Sequence, residues 1–343
     1  MTRSRDRPSC TQMAQAGDFR FVVGNADAAK RLDTYLSQRA GELTRSQIKR
    51  LVQEQDILLN GLPSKPATRL RKGDVITGCI PPPRRLDVIP QDIPLDILHE
   101  DPWIIVINKP VGMVVHPGAG IDSGTLVNAL LFHCRDLSQI NGVIRPGIVH
   151  RLDKNTSGVM VVAKNATAHD HLSAQFKARG VKKRYIALVH GEMSTLEGII
   201  EAPLGRHPRE RKRISIHTRK PRSAITQWRV IKRLKGFSLL EAIPKTGRTH
   251  QIRAHFSSRG HPILGDPEYC KARWTEGIRD PGVRDRIRTL KRQALHSERL
   301  GFIHPRNGEF MEFSAPLPPD MAEIIQFLSQ RAEEHRPEGK GAL

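Results

Sequence analysis

Over residues 29–80 the apolar positions follow helical spacing twice and then give way to a small hairpin. Ile48, Leu51 and Val52 recur at helical spacing, Arg45 and Lys49 fall together on the opposite side, and Thr44 with Gln47 fits a capping box ahead of them. One face packs and the other is basic. Residues 56–60 then read as a strand, Asn60-Gly61 as a tight turn, and Lys72-Gly73-Asp74 as a second turn before Val75-Ile76. The run Pro81-Pro82-Pro83-Arg84-Arg85 continues neither element, because proline lacks the donor and fixes φ, so residues 81–92 form a stiff linker.

From Ile93 the pattern changes. β-Branched strands at 104–107, 159–163 and 185–189 alternate with helical stretches at 126–134 and 167–178. Further apolar strands near Ile214, at 225–230 and at 237–243, with an Asn307-Gly308 hairpin, follow with few long helices between them, which favours antiparallel pairing. The expected fold is mixed α/β (α+β), with a largely antiparallel central sheet, flanking helices and an active-site cleft, occupying residues 93–330. A small α/β domain occupies 18–80, and polar segments at 1–17 and 331–343 are expected to be disordered tails.

Charge adds a partner class to this outline. The 56 Lys and Arg against 35 Asp and Glu give a formal net charge of +21, an excess that favours polyanions through counterion release. Nucleic acid leads, although acidic membranes or a solvated basic surface give the same total. Cys10, Cys79, Cys134 and Cys270 are scattered without a C-x-x-C pair, which suggests neither a zinc site nor a disulfide framework but reduced thiols in the cytoplasm. No apolar run is long enough to span a bilayer, and no apolar stretch follows Arg3, Arg5 and Arg7 as a secretory signal requires.

Two polar segments carry candidate chemistry. The first, His150 to Gly158, reads HRLDKNTSG and lies between the apolar runs Gly147-Ile148-Val149 and Val159-Met160-Val161-Val162. Rigid strands on both sides would hold its side chains toward a ligand, whereas a plain surface loop would pair Asp153 with Arg151 or Lys154. The second, Lys245 to His255, reads KTGRTHQIRAH. If Thr246 caps a helix there, Thr249, Ile252, Arg253 and Phe256 share a face, and Arg253 can hold a partly buried carboxylate ionised through two donors. Phosphate contact is the other use of an arginine, and it suits Arg248 better than Arg253.

Both segments resemble the pseudouridine synthases of the RluA group, in which H-R-L-D-x-x-T-S-G and T-G-R-T-H-Q-I-R-x-H stand as they do here. Lys109-Pro110, Tyr185, Gly265-Asp266-Pro267 and Ala294-Leu295-His296 follow in the family's order, so the resemblance runs from Ala29 to Pro318. Arg31-Leu32-Asp33, Tyr35-Leu36, Ser46 to Lys49, Ile57 to Gly61 and Lys72-Gly73-Asp74 resemble the S4-type RNA-binding domain. That resemblance implies that Arg45, Lys49, Arg50 and Lys65 lie on RNA phosphates. The S4-type domain followed by His116-Pro117-Gly118-Ala119-Gly120 looks most like the RluD branch, which implies large-subunit ribosomal RNA, free or in an assembling particle, as the partner.

The reaction turns uridine into its C-glycoside and needs an ionised carboxylate beside the sugar, as nucleophile at the anomeric carbon or as base at its neighbour. The family implies that Asp153 is that carboxylate, that Arg151 fills the space left by the flipped base, that Tyr185 stacks on the uracil and later helps remove the C5 proton, and that Arg253 pairs with Asp153. Leu295 packs beneath the base, with Ile252, Arg248 and His150 as further substrate contacts. Atoms are only rearranged within the nucleotide, so no cofactor is expected. The chain has no Walker A motif, and Gly118-x-Gly120 lacks the remaining glycine of a dinucleotide loop. Residues 206–222 carry Arg206, Arg209, Arg211, Lys212, Arg213, Arg219, Lys220 and Arg222 against one acid, Glu210, and make a candidate phosphate clamp.

Two rival classes compete. Ser46-x-x-Lys49 and Lys245-Thr246-Gly247 mimic boxes of serine hydrolases, but no S-D-N box accompanies them. A non-catalytic RNA-binding assembly factor fits the composition equally well. It has no use for Asp153, since an anion repels phosphate.

Overall fold

The computed structural model describes residues 18–39, 45–79, 88–118, 120–134, 137, 147–210 and 213–334, with residues 45–47 described by backbone alone. The expected tails, the Pro81–Arg85 run and the Thr44 cap fall largely or wholly outside them. The chain divides into two compact units, residues 1–86 and 87–343.

The first unit contains β1 (Asp18–Val22), α1 (Leu32–Arg39), α2 (Arg45–Gln53), β2 (Ile57–Leu59) and β3 (Val75–Cys79), with the strands antiparallel in the order β1-β3-β2. Leu32, Tyr35 and Leu36 of α1 meet Ile48, Leu51 and Val52 of α2 in one core with Ile57, Leu70 and Ile76, while Lys49 and Arg50 stay exposed. Asn60 and Gly61 take left-handed backbone angles (φ 54° and 75°), as a tight turn of this kind demands. The Asn60 side chain then bridges to the second turn, accepting from Val75 N at 2.7 Å and donating to Asp74 Oδ1 at 3.0 Å.

The second unit runs β4 (Ile97–Glu100), β5 (Ile104–Lys109), α3 (Leu126–His133), β6 (Ser157–Ala163), α4 (Ala166–Ala178), β7 (Lys182–His190), β8 (Glu197–Glu201), β9 (Gly205–Arg206), β10 (Ile214–Ser215), β11 (Ile225–Leu234), β12 (Phe237–Pro244), α5 (Gln251–Ser258), α6 (Ala272–Glu276), α7 (Pro281–Arg288), β13 (Leu295–Ile303), β14 (Phe310–Ser314) and α8 (Pro319–Glu334). Its main sheet has the order β4-β5-β6-β13-β7-β12-β11-β8, with β14 on β13, and every pairing is antiparallel except β6 with β13. β9 and β10 form a separate two-stranded ribbon.

Residues of β5 and β6 alternate between two cores. Ile105, Ile107, Met160 and Val162 pack with Leu126 and Leu130 of α3, and Ile104, Val106, Val159 and Val161 pack with Leu172 of α4 and Phe302. Burial on both faces is why these strands read as unbroken apolar runs. A third core joins Leu188 and Leu240 to Phe256 of α5, Ile287 of α7 and Ile324 of α8. Gly158 (φ 115°) lies where β6 meets β13, and a Cβ there would collide with the Ser297 backbone, so only glycine admits that pairing.

The structure departs from expectation at two ends. α5 begins at Gln251 and not at Thr246, because the Thr246 hydroxyl accepts from Ile225 N of β11 (3.1 Å) and donates to Gln251 Oε1 (2.6 Å), which leaves it unable to cap. Thr249 therefore precedes the helix. α8 continues to Glu334, beyond the expected limit at 330, with Ile324 and Leu328 buried along its inner face and Arg331 over the Phe327 ring. Among the described residues no helix is long and apolar enough to cross a membrane.

Candidate active site

The loop ahead of β6 is held by buried groups on β5, on β13 and on the segment leading into β13. Lys109, at the end of β5 and fully buried, donates to Lys154 O (3.1 Å), Pro110 O (2.7 Å) and Met113 O (2.9 Å). Burial pulls this ammonium down to about 7, against the pull of Asp153 and with the Arg292 charge adding to the fall. Arg292 donates to Asn155 O at 3.4 Å and binds Asp320 of α8 through two bonds of 2.7 Å. Gln293 Nε2 donates to Thr156 Oγ1 at 3.1 Å, and Ser157 Oγ lies 2.9 Å from His296 Nδ1. Four successive residues, Lys154 to Ser157 at the start of β6, are thus tied down, and Asp153 stands just ahead of them.

Asp153 meets α5. Its Oδ2 accepts from Arg253 Nη1 at 3.1 Å, and its Oδ1 lies 3.9 Å from His250 Nε2. The expectation that Arg253 binds this carboxylate through two donors is not met, since Asp153 receives only Nη1. Nε and Nη2 go to Asp266 at 2.7 and 2.9 Å, and Nη2 also lies 3.5 Å from Glu268. Asp266 is fully enclosed and also accepts from the backbone N–H groups of Glu268 and Tyr269. Burial works against the charge on Arg253, but the Asp266 bond and the surrounding carboxylates outweigh it and raise the guanidinium above its ordinary value. Asp266 was legible in the sequence only as part of Gly265-Asp266-Pro267, since nothing local places it beside an arginine 13 residues earlier.

Asp153 and Arg253 line a pocket of about 490 Å³ together with Arg151, Tyr185, Ile252 and Leu295. Tyr185 sits on β7 in register with Ala242 of β12 and Ser297 of β13. Burial pushes its phenol up to about 12; a hydrogen bond to Ser297 opposes this and the Asp153 charge adds to it. At neutral pH the ring is uncharged and suited to stacking. Ile252 and Leu295 are 5% and 3% exposed, so they can form only a floor, whereas Arg151 is exposed at the rim.

His150, expected to touch substrate, lines this pocket and is half-buried, and its ring is also held by the protein. Its Nε2 accepts from Val161 N at 3.1 Å and its ring stacks on Phe176 of α4, centroids 4.6 Å apart. Burial, then the Lys183 charge, pull the imidazolium down to about 3, so the ring is neutral and braces the loop. His250, at φ 51° ahead of α5, approaches Tyr269 Oη (3.2 Å) and Glu268 Oε2 (3.1 Å). Burial lowers its pKa although Asp153 opposes the change.

Arg248 donates through Nε to Ser223 O at 3.1 Å and lines both this pocket and a second one of about 620 Å³, whose walls include Arg206, Arg219, Lys220 and Arg222. Arg213 packs over the Tyr269 ring at 5.0 Å, as Arg253 also does. Arg211 and Lys212 lie outside the described residues, as does the Arg45 side chain. Lys49, Arg50 and Lys65 are exposed on the first unit.

Residues 103–258 match the family model described as RNA pseudouridylate synthase, and residues 30–76 match the S4 domain. The chain is 44% identical over 308 residues to an uncharacterized RNA pseudouridine synthase of Bacillus subtilis (strain 168), covering 90% of this chain and 97% of the relative. It is also 44% identical over 302 residues to the ribosomal large subunit pseudouridine synthase D of Zymomonas mobilis, covering 87% of this chain and 93% of that one. The solved structure of human RNA pseudouridylate synthase domain containing 1 superposes with a TM-score of 0.53 at 25% identity, over 73% of this chain and 98% of that chain.

Proposed function

Because this chain belongs to the RNA pseudouridine synthase family, we propose that it isomerises particular uridines of large-subunit ribosomal RNA, and that it does so in the cytoplasm. The large-subunit target rests on the names of relatives such as the Zymomonas mobilis enzyme. The observation that carries the chemistry is the Asp153 carboxylate 3.1 Å from Arg253 Nη1 in a pocket floored by Leu295 and walled by Tyr185.

The target uridine leaves its stack and enters this pocket, and Arg151 at the rim takes its place among the bases. Asp153, ionised beside Arg253, either attacks the anomeric carbon or removes a proton from the adjacent carbon, and the N1 to C1′ bond breaks. The freed uracil turns on Leu295 under the Tyr185 ring, and C5 bonds to C1′ as the Asp153–C1′ ester bond breaks on the first route, or as Asp153 returns its proton to the adjacent carbon on the second. The C5 proton then leaves and N1 ends protonated, so the atoms of the nucleotide are conserved. Arg253 keeps a counterion throughout, even while Asp153 is esterified or protonated, since Asp266 holds the other side of the fork. An RNA-binding assembly factor without activity has no use for a carboxylate placed this way, because it repels phosphate.

Asp153→Asn tests the reading: it keeps the shape and removes the charge. Single-turnover conversion of a ribosomal RNA fragment is expected to be abolished while RNA binding persists. Turnover near the wild-type rate would sink the assignment.

A further inference from the structure

We propose that Arg179, Lys183 and Lys245 form a phosphate clamp, separate from the 206–222 segment, that grips the RNA backbone next to the flipped uridine. The clamp rests on the functional reading above and specifies how the same pocket takes its substrate.

The three cations come from three elements and line one pocket: Arg179 follows α4, Lys183 lies on β7, and Lys245 follows β12. Lys183 stands two residues before Tyr185, so the pleat of β7 sends both side chains to the same face. The Lys183 ammonium has no hydrogen-bond or ion-pair partner among the described residues. The contrast with the two buried cations here is sharp, since Lys109 has three carbonyls and Arg253 has Asp153 and Asp266, whereas Lys183 is half-buried. Burial, then Arg179 and Lys245, pull the Lys183 ammonium down to about 8, which is what an amine does when cations surround it and no anion is supplied. A phosphodiester entering the pocket supplies one.

The backbone gives an independent reason. Arg179 closes α4 in the left-handed region (φ 62°, ψ 24°), donating its N–H to Gln175 O and Phe176 O. Glycine or asparagine ordinarily takes that position, and a long side chain there costs conformational energy. Residues held in such regions gather at sites where the side chain is used. The same turn carries Phe176, on which His150 stacks, so the clamp and the catalytic loop share one support. Asp153 is the one carboxylate among the residues lining the pocket, and it is already paired with Arg253. The clamp therefore faces an anion brought from outside.

The test measures RNA affinity against salt in an Asp153→Asn background, where no turnover is needed. Lys183→Met is expected to weaken binding of a ribosomal RNA fragment roughly five- to tenfold and to lower the salt slope by about 0.7 to 0.9. Lys183→Arg should restore both. Arg179→Gly should lower the slope equally with an unchanged or raised thermal midpoint, because glycine fits the left-handed cap, so it answers the question even if Lys183→Met folds poorly. Neutral methylphosphonate linkages placed in turn around the target uridine should reveal one position whose cost disappears in Lys183→Met. Unchanged slopes in both Lys183→Met and Arg179→Gly would overturn the clamp, as would additive effects at every linkage. Absence of wild-type turnover would instead count against the functional reading and leave these affinity ratios standing.

Discussion

Arg253 gives Nε and Nη2 to Asp266 and leaves Nη1 for Asp153, so one buried cation is shared between a fully enclosed acid and one that is 18% exposed. Asp266 therefore aims the guanidinium, and Asp153 is left with free lone pairs for chemistry. Replacing Asp266 by Asn breaks a buried pair, and the expected loss is about 3 to 5 kcal/mol in urea denaturation. Turnover should fall about a hundredfold as the fork loses its aim, since small misplacements near reacting atoms carry costs of that order. Lys109 gives a second expectation at this scale. Its folded-state value of about 7 lies below its ordinary 10.5, so the unfolded chain binds more protons between those values and stability rises with pH across that window. The contribution is complete above 10.5 and is lost as the pH falls toward 7. Lys109→Met should lack this trend, and the stability difference from wild type should change by about 1 kcal/mol per pH unit between pH 7.5 and 9.5 in denaturant titrations, up to the linkage limit.

At the scale of elements, α2 shows how much a periodic pattern settles. Ile48, Leu51 and Val52 are buried and Lys49 and Arg50 exposed, as their spacing requires of any helix laid on a core. If that basic face docks RNA, changing Arg45, Lys49 and Arg50 to Gln should lower the salt slope of binding by about 0.7 to 0.9 for each lost contact, measured by filter binding across a salt series. An unchanged slope would remove the first unit from the docking surface. α5 shows the opposite case. Its start depends on Gln251, which binds Thr246, the Arg248 N–H, Ile225 O and Thr226 Oγ1 and thereby holds 246–250 as a turn against β11. A threonine before a helical run has the spelling of a cap, but here a strand 21 residues earlier takes its hydroxyl. The short helices α6 and α7 likewise escaped reading, because α6 buries no side chain and α7 buries only Val283 and Ile287, too few apolar positions to stand out among its charges.

At the scale of the molecule, residues 1–86 and 87–343 each have a sheet and a core of their own. A fragment of residues 87–343 is therefore expected to unfold cooperatively and to retain turnover on a short RNA at a higher half-saturating concentration, checked by thermal denaturation and single-turnover rates. Loss of cooperative unfolding would show that the second core depends on the first unit. The sequence by itself determined the α/β class, the apolar strands at 104–107 and 159–163, the basic face of α2, and the two segments holding Asp153 and Arg253, because periodicity, turn chemistry and contiguous motifs are local properties of a chain. Tertiary structure alone decided that Asp266 holds Arg253, that Lys109 and Arg292 pin the loop behind Asp153, that His150 stacks on Phe176 and accepts from Val161 N, and that Arg179, Lys183 and Lys245 share a wall. Each of those depends on a strand pairing or helix docking that brings distant residues within a few ångströms, and no local spacing encodes which buried charge will meet which partner.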